Sequence, residues 1–454
     1  MTMKMSRRAH AIASLWAQGT LHWKLRPEQQ RLKLAIDESN RQLIVGNISR
    51  RWGKSFTLVL YCIEQAIKSR QRIRYGAAFK SDLEEFIIPA FETILEDCPS
   101  FLRPEYMASK HVWRFRNGST IKLVGLDKSP NGLRGNAINI IVLDEGAFVK
   151  SLKYQYTTVI IPATAKQKNI KILIFSTPPE SPEHYFMELV RKAQLQPNGF
   201  YMTMTIDDIS DLDADEKKRL LDEVGGENST TAQREFFCRM LVDETRSLSP
   251  NFSTDIHVRD FDPKHIAWRI FGDTGAKDKT VFLKVGYDHE TGLVVFRDEL
   301  VPENRTPTSE IVAQYKARFP EGYTLVMDAA AQLGIDYSAL GLPSALPVKD
   351  DFGAGLLLLN NAFFQNKTVI HPDCKLLIKT LEGGLLTKNR NDYERTETLG
   401  HCDCAAAAIY ALRGVDRITD LRPRPSHEVI FSPKRVPDHI HNLQLMGWRN
   451  ARSR

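Results

Sequence analysis

Three observations predict an α/β fold made of two successive domains. The apolar run Leu43–Val45 is typical of a buried strand, and Gly53-Lys54-Ser55 follows it at the start of a segment with helical apolar spacing. The run INIIVLDE closes on Asp144-Glu145, as a buried parallel strand does when it ends at the ligand-binding edge of a sheet. From Ala267 onward, a second series of strands begins, and single aspartates mark its strand ends.

Composition places the chain among ordinary globular proteins. Its 454 residues suffice for about two or three domains, and its contents of 42% hydrophobic and 26% charged residues are typical of such proteins. The formal net charge of +7 favours a polyanionic partner. Six sparse, irregularly spaced cysteines predict reduced thiols rather than a disulfide framework.

The strand, turn and helix around Lys54 predict a phosphate-binding loop. Backbone N–H groups at a helix N-terminus attract an anion, a lysine reaches the outer phosphates, and a hydroxyl such as that of Ser55 holds Mg²⁺. The usual pattern has glycine five residues before Gly53, where this chain has Ile48. A plain strand-to-helix turn is the alternative for the motif taken alone.

Polar residues at other predicted strand ends complete this candidate site. Asp144 is suited to hold Mg²⁺ through water, and Glu145 is suited to orient an attacking water. Ser176 ends the strand KILIFS and Thr177 follows it, which places two hydroxyls beside the same site; capping of a helix is the alternative role for either residue. The amide of Gln29 offers the donor and acceptor that adenine recognition needs, although a solvated helix face explains it equally well.

The second series predicts an RNase H-like layout. A strand carrying Asp273, a meander, a strand ending at Asp328 and an Ala-rich helix beginning at Asp403 would bring three carboxylates to one sheet edge. Two Mg²⁺ or Mn²⁺ ions about 3.5–4 Å apart, held by such oxygen ligands, can clamp a phosphodiester. Asp278 is the candidate for a fourth ligand.

Together, SRRWGKS, the LRG before the strand ending in LDE, and FSTPP resemble the large terminase subunit of tailed bacteriophages. The resemblance implies a P-loop ATPase with a parallel-sheet core and a linker or lid subdomain, followed by an RNase H-like nuclease domain. That family tolerates a non-glycine residue at the position of Ile48. It often has a second acid beside the last nuclease aspartate, whereas here Cys402 and Cys404 flank Asp403.

The resemblance also implies residue roles. The expected cofactors are ATP with Mg²⁺ in the first domain and two Mg²⁺ or Mn²⁺ ions in the second. Glu145 would be the catalytic carboxylate, and Arg134 or Arg50 would supply an arginine finger, although Arg134 is equally explained as a surface or DNA-facing cation. The residues expected to contact nucleotide are Gln29, Ser49, Arg50, Arg51, Trp52, Gly53, Lys54, Ser55, Phe56, Asp144 and Thr177.

The resemblance, together with changes in composition, implies four segments. They are an ATPase domain over 1–198, an acidic helical lid or linker with little strand signal over 199–245, a nuclease domain over 246–415 and a basic, Pro-containing tail over 416–454. The resemblance implies double-stranded DNA, a portal protein with its procapsid, and a small terminase subunit as partners. It also implies a ring of identical subunits, in the host cytoplasm and transiently at the portal vertex.

Two other classes remain open at this stage. A helicase–nuclease of DNA repair or phage defence would share both predicted sites, but the sequence shows no second helicase-type sheet between them. A structural or regulatory DNA-binding protein with an inactive nuclease is the third possibility.

Overall fold

The computed structural model describes residues 7–129, 131–135, 137–164, 170–242, 245–261, 263, 266–274, 279–349 and 351–415. Within them the chain builds two sheets, one of eight strands and one of five. Asp278 and the tail over 416–454 lie outside the described residues, so the predictions made for them are not addressed by the structure.

The N-terminal sheet has a parallel core. Its strands are β1 (Leu43–Ile48), β2 (Arg72–Ala77), β3 (Glu105–Met107), β4 (Val112–Arg114), β5 (Thr120–Gly125), β6 (Ile140–Asp144), β7 (Lys171–Ser176) and β8 (Gly199–Met204). The spatial order is β3-β4-β5-β2-β6-β7-β1-β8, in which β3, β4 and β5 pair antiparallel and all other pairs are parallel. β1 and β6 are buried along their whole length, as expected for parallel strands covered on both faces.

The strand β8 corrects one sequence expectation. Residues 199–245 were expected to be helical with little strand signal, but Gly199–Met204 pairs in parallel with β1 from Leu43 to Ile48. The sheet therefore extends to residue 204, and the acidic helical segment begins after it. β8 is an edge strand in which only Met202 is buried, while Phe200 and Met204 pack against the same core in part.

Helices cover both faces of this sheet. They are α1 (Arg7–Gln18), α2 (Pro27–Glu38), α3 (Lys54–Lys68), α4 (Lys80–Asp82), α5 (Ile88–Leu95), α6 (Leu152–Tyr154), α7 (Ile161–Thr164), α8 (Tyr185–Leu195), α9 (Ala214–Glu223) and α10 (Thr230–Glu235). Short π-helical turns, Leu83–Ile87 and Gln155–Ile160, join α4 to α5 and α6 to α7. The helix α3 packs its apolar face into a core that includes Trp16, Trp52 and Phe91.

The second sheet is mixed. Its strands are β9 (Arg269–Thr274), β10 (Val281–Asp288), β11 (Leu293–Leu300), β12 (Thr324–Ala329) and β13 (Thr368–Ile370), in the spatial order β12-β9-β10-β11-β13. β9, β10 and β11 form the predicted antiparallel meander, while β12 pairs in parallel with β9. The predicted strands from Arg269 to Leu300 and at Asp328 are therefore confirmed.

Six helices accompany the second sheet: α11 (Thr254–His257), α12 (Thr308–Arg318), α13 (Ala331–Ala339), α14 (Phe352–Phe364), α15 (Lys375–Gly383) and α16 (Asp403–Gly414). The Ala-rich α16 lies against β9 and β10, and its small side chains allow this close approach. On the other face, Tyr315 of α12 packs its ring edge-to-face on Phe282 of β10 at 5.1 Å.

Direct contacts join the two units. The Ser181 hydroxyl donates to the Gly383 carbonyl oxygen at 2.6 Å, and this bond is buried. The two oxygens of the Glu397 carboxylate accept the backbone N–H groups of Lys153 and Tyr154, at 3.0 and 3.1 Å, at the start of α6. A carboxylate at a helix start satisfies N–H groups that have no partner inside the helix.

All six cysteines are buried free thiols, as the sequence predicts. No helix in the described part of the chain has the length and apolar character needed to cross a membrane.

We predict that Gly46→Ala destabilises the N-terminal unit by about 1–3 kcal/mol, because a Cβ on Gly46 would lie 2.3 Å from the ring of Phe175 on β7. Urea unfolding would measure this loss. The double variant with Phe175→Ala should lose less than the sum of the two single losses, because the clash is gone. Gly334→Ala is the control, since a Cβ on that helical glycine meets nothing within 4 Å. Additive losses in the double variant would contradict the prediction.

Candidate nucleotide and metal sites

The turn between β1 and α3 has the conformation that its sequence predicts. Gly53 adopts φ +87° at the start of α3, and a Cβ there would lie 2.3 Å from the Gln29 amide nitrogen. Both the left-handed backbone and the close approach require glycine. Ile48 is the last residue of β1 and is fully buried, so at this position the side chain belongs to the core rather than to the loop.

Lys54 forms the central contact of this site. Its ammonium lies 2.5 Å from a carboxylate oxygen of Glu145, although the two residues are 91 positions apart, and the Lys54 side chain is only 7% exposed. Burial acts to lower the pKa of Lys54, but the carboxylates of Glu145 and Asp144 outweigh it and raise that pKa. The lysine is therefore charged throughout the neutral range.

Asp144 is buried at the end of β6 and has several polar neighbours. The Tyr75 hydroxyl donates to its Oδ2 at 2.8 Å, and the Ser55 hydroxyl also bonds to this carboxyl group. Burial and the neighbouring Glu145 carboxylate raise the pKa of Asp144, while Lys54 and the two hydroxyls oppose that shift. The structure thus brings together Ser55 and Asp144, the two predicted Mg²⁺ ligands of this site.

Glu145 is held in an unusual backbone conformation. It adopts φ +53°, in the left-handed region, and its N–H bonds to the Asp144 carboxylate at 3.0 Å. The Ser176 hydroxyl donates to its carboxylate at 3.2 Å and accepts the Ala147 N–H at 3.1 Å. A non-glycine residue in this region carries a strain that often accompanies a functional position. Ser176, predicted beside this site, fixes the orientation of the acid.

Two hydroxyls fit an anion at this edge of the sheet. The side-chain oxygens of Ser49 and Thr177 are buried and have no hydrogen-bond partner among the described residues. Buried polar groups are normally paired. Together with the lysine and the start of α3, they form a donor set suited to a nucleotide phosphate chain.

Not every residue of the predicted nucleotide set faces this site. The Trp52 indole is fully buried in the core, and Phe56 packs against the same core, so their side chains serve packing. The Gln29 amide accepts from the Arg26 N–H at 3.0 Å and donates to the Gly53 carbonyl at 3.3 Å. It therefore braces the loop, and its proposed contact with adenine remains a prediction.

The arginines differ in their surroundings. Arg50 pairs through Nε with Glu235 at 2.7 Å, and its side chain is 59% exposed. Arg51 adopts φ +63° in the loop. Arg134 donates to the Tyr154 hydroxyl at 3.2 Å, and that hydroxyl donates to Asn131 at 3.0 Å. Neither Arg50 nor Arg134 is assigned the finger role by these contacts.

A cavity of about 330 Å³ beside the loop was not foreseen from the sequence. Arg26, Arg50 and Arg51 line one part of it, Asp211 and Glu216 add two acids, and the apolar lining consists of Ile206, Ile209, Leu212, Leu220 and Phe236. Arg26 also stabilises the loop, because its guanidinium donates to the Trp52 carbonyl oxygen at 2.5 Å. The linker residues after β8 thus form a wall of this site.

In the second sheet, Asp273 and Asp328 are register partners on the parallel strands β9 and β12. The Asp328 carboxylate accepts a hydrogen bond from the Tyr410 hydroxyl at 2.9 Å and lies 2.7 Å from the Lys349 ammonium. Burial, followed by the charges of Asp273 and Asp328, raises the pKa of Tyr410. Tyr410 on α16 therefore lies close to both carboxylates.

Asp403 lies at the start of α16, and its Oδ2 accepts the Lys279 N–H at 3.1 Å. Burial raises the pKa of Tyr393, and the carboxylates of Asp273, Asp392 and Asp403 act in the same direction. The charges of Asp273 and Asp403 thus both act on the Tyr393 phenol. No three acid, histidine or cysteine side chains in the described part of the chain are arranged to hold a metal ion together. The joint role of the three aspartates stays a prediction.

The donor chemistry of the Asp273–Asp328 pair fits one hard cation. Mg²⁺ is commonly bound by one or two carboxylates and keeps several waters. The Lys349 ammonium already places a positive charge on Asp328, where such an ion would lie.

The fold and the first site define a class: α/β proteins in which a lysine-bearing turn and two acids meet at the carboxyl edge of a parallel sheet. Residues 45–247 match the family model of the terminase large subunit, T4-like-virus type, N-terminal part. This match spans 203 of the 454 residues, and it confirms for this part of the chain the resemblance to large terminase subunits that the motifs carry.

Solved structures of large terminases are similar to this chain. The HK97 bacteriophage large terminase is 13% identical, covers 90% of this chain and 100% of its own, and has a TM-score of 0.53, which shows a shared fold. The large terminase of a thermophilic bacteriophage, solved in complex with ADP, is 17% identical over 86% of this chain and 98% of its own, with a TM-score of 0.42. The P22 large terminase nuclease domain is 12% identical over 36% of this chain and 89% of its own, at a TM-score of 0.31.

We predict that Lys54→Met destabilises the nucleotide-free protein by about 1–3 kcal/mol, because Asp144 and Glu145 then lose their shared counter-charge. The Glu145 side chain is partly exposed, so the loss of stability is smaller than for a fully buried ion pair. Urea unfolding would measure it. Adding Glu145→Gln should recover part of the loss. The exposed Lys218→Met is the control, and equal losses for Lys54→Met and Lys218→Met would contradict the prediction.

Proposed function

We propose that the protein is the ATPase and nuclease of a viral DNA-packaging motor. ATP hydrolysis in the N-terminal unit would drive double-stranded DNA into a procapsid, and the C-terminal unit would cut the concatemer. The contact of Lys54 with Glu145, beside the buried Asp144, carries the ATPase part of this proposal. The large terminase of the thermophilic bacteriophage was solved with ADP and with ATP-gamma-S, and we propose the same class of ligand for this chain.

The roles in the ATPase site follow from the contacts. Lys54, Ser49 and Thr177 would bind the phosphate chain, and Ser55 with Asp144 would hold Mg²⁺, which neutralises phosphate charge when bound. Once the phosphates engage Lys54, the Glu145 carboxylate is released to accept a hydrogen bond from the attacking water. Ser176 and the left-handed backbone would then keep that carboxylate in place.

The arginine finger is proposed with two candidates. Arg134 is held by Tyr154 on α6, and Arg50 lies in the loop itself. A guanidinium delivered to the transferring phosphoryl group stabilises its developing charge. Arg134 would act from a neighbouring subunit of a ring, and Arg50 within its own subunit.

The cavity beside the loop would bind the base. Its apolar lining from Ile206 to Phe236 suits the faces of a purine, while Arg50 and Arg51 face the same space. Gln29 braces Gly53 beside this cavity, and its contact with adenine remains part of the proposal.

The C-terminal unit is proposed as an RNase H-like nuclease. Asp273 and Asp328 would hold a divalent cation, Mg²⁺ or Mn²⁺, which polarises the scissile phosphate when bound. Asp403, near the same phenol as Asp273, is the proposed third acid and would contribute to a second ion.

The proposed partners follow from this role. Contacts with DNA should be directed to the phosphate backbone and sensitive to salt, because a motor must act on any sequence. A small terminase subunit would select the DNA, and a portal protein would receive a ring of these subunits. The site of action would be the host cytoplasm and the portal vertex.

We predict that Lys54→Ala and Asp328→Ala separate the two activities. Loss of the phosphate-binding charge should lower ATP turnover about 10²–10³-fold, while plasmid nicking persists. Asp328→Ala should do the reverse, since several kcal/mol of cation stabilisation are lost from the nuclease site. Steady-state ATPase and plasmid-nicking assays would measure both. If one substitution removed both activities in a folded protein, the proposal of two separate centres would be refuted. In a separate assay, unwinding of a forked substrate would favour the helicase–nuclease alternative.

We predict that Leu212→Asn weakens ATP binding about tenfold without a matching loss of kcat, because it places an amide in the apolar wall of the base cavity. Kinetics with ATP would give KM and kcat. Leu195→Asn, at an 83% exposed leucine, is the control. An unchanged KM for the Leu212 variant would contradict the assignment of this cavity to the base.

A further inference from the structure

Lys349 holds a position that the proposed nuclease mechanism leaves unexplained. Its ammonium lies 2.7 Å from Oδ2 of Asp328, the same oxygen that accepts from Tyr410. Any cation bound between Asp273 and Asp328 would meet this ammonium, and two positive charges on one carboxylate oxygen repel each other strongly. The lysine and a divalent cation are therefore competitors.

Backbone contacts on both sides of Lys349, at Ala345 and at Asp351, fix its place near Asp328. Ala345 is bridged to β12, with the Met327 N–H donating to its carbonyl and its own N–H donating to Leu325, both at 2.9 Å. Asp351 then caps α14 by accepting the Gly353 N–H at 2.8 Å. Lys349 follows Ala345 by four residues and precedes Asp351 by two, and its ammonium reaches Asp328 from there.

The side chain itself is held loosely. It is 59% exposed, whereas that of Asp328 is 23% exposed, so charge rather than packing keeps the pair together. An exposed ion pair contributes little to stability and is easily exchanged. A divalent ion with two carboxylate ligands would compete successfully for the same oxygen.

A cavity lies beside the Lys349 side chain. It measures about 180 Å³, and its lining includes Lys349, Arg413, Tyr393, Tyr410 and Phe352. Lys349 and Arg413 offer cationic donors to an anion, whereas the Tyr410 hydroxyl already donates to Asp328 and Asp351 is itself a helix cap. Gly355, Ala406 and Ile409 make the rest of the lining apolar. The size suits one phosphate group of a DNA strand better than a whole nucleotide.

We propose that Lys349 is a resident counter-ion of the Asp273–Asp328 pair, that a divalent cation displaces it, and that the released ammonium then binds a DNA phosphate in the adjoining cavity. This inference rests on the proposed nuclease function. It makes Lys349 a residue with opposite effects on the two ligands: it weakens cation binding and strengthens DNA binding.

The test uses Lys349→Met in the full-length protein. Mn²⁺ binding, followed by electron paramagnetic resonance without nucleotide or DNA, should become about tenfold tighter, because a competing charge is gone. At saturating Mn²⁺, the KM for nicking should rise about tenfold, and thymidine 3′,5′-bisphosphate should lose a similar factor as an inhibitor. Lys349→Arg should restore wild-type values for both ligands.

Two controls make the outcomes distinct. The exposed Lys388→Met removes a charge elsewhere in the same unit and should change neither affinity. Asp328→Ala identifies the Mn²⁺ signal that belongs to this site. If that signal exists but Lys349→Met leaves it unchanged or weakens it, the inference is overturned and the nuclease proposal stands. If the wild type shows no Asp328-dependent Mn²⁺ binding, the nuclease proposal fails and the inference fails with it.

Discussion

The ion pair between Lys54 and Glu145 is the interaction on which the N-terminal site depends. Three charged groups, Lys54, Asp144 and Glu145, meet at the end of two parallel strands and a helix start. Burying two adjacent carboxylates without a counter-charge would be costly, and the lysine offsets much of that cost. Tyr75 and Ser55 complete the arrangement with neutral donors to Asp144. The same charges hold the site in shape before nucleotide arrives and prepare it for a phosphate chain.

The parts predicted from sequence share one property: their signal is local. The apolar runs of β1, β6 and β7, the turn before Lys54, and the aspartates on β9 and β12 each appear within a few consecutive residues. Short-range rules of burial and helix start suffice for these. The family assignment followed from the order of such motifs.

What the sequence did not reveal depends on contacts between distant segments. β8 was not predicted because it is a short edge strand next to a long acidic stretch, and its parallel pairing with β1 joins segments 156 residues apart. The side chains of Trp52 and Phe56, two residues of the expected nucleotide set, pack in or against the core, which the loop motif alone does not show; the expectation of a nucleotide contact stays a prediction. The base cavity and the Lys349–Asp328 pair unite residues from different elements, so no window of the sequence contains them.

Both centres neutralise their acids with a lysine, and the burial of that lysine separates their behaviour. Lys54 is 7% exposed and projects from the start of α3, so in the proposed mechanism it would stay in place and change partner from Glu145 to a phosphate. Lys349 is 59% exposed on a segment at the sheet edge, so it can leave when a stronger cation arrives. A buried charge without a partner is costly, whereas an exposed one is solvated by water. Under the proposed function, the first site would therefore keep its positive charge as a permanent binding group, while the second would exchange it for a metal ion.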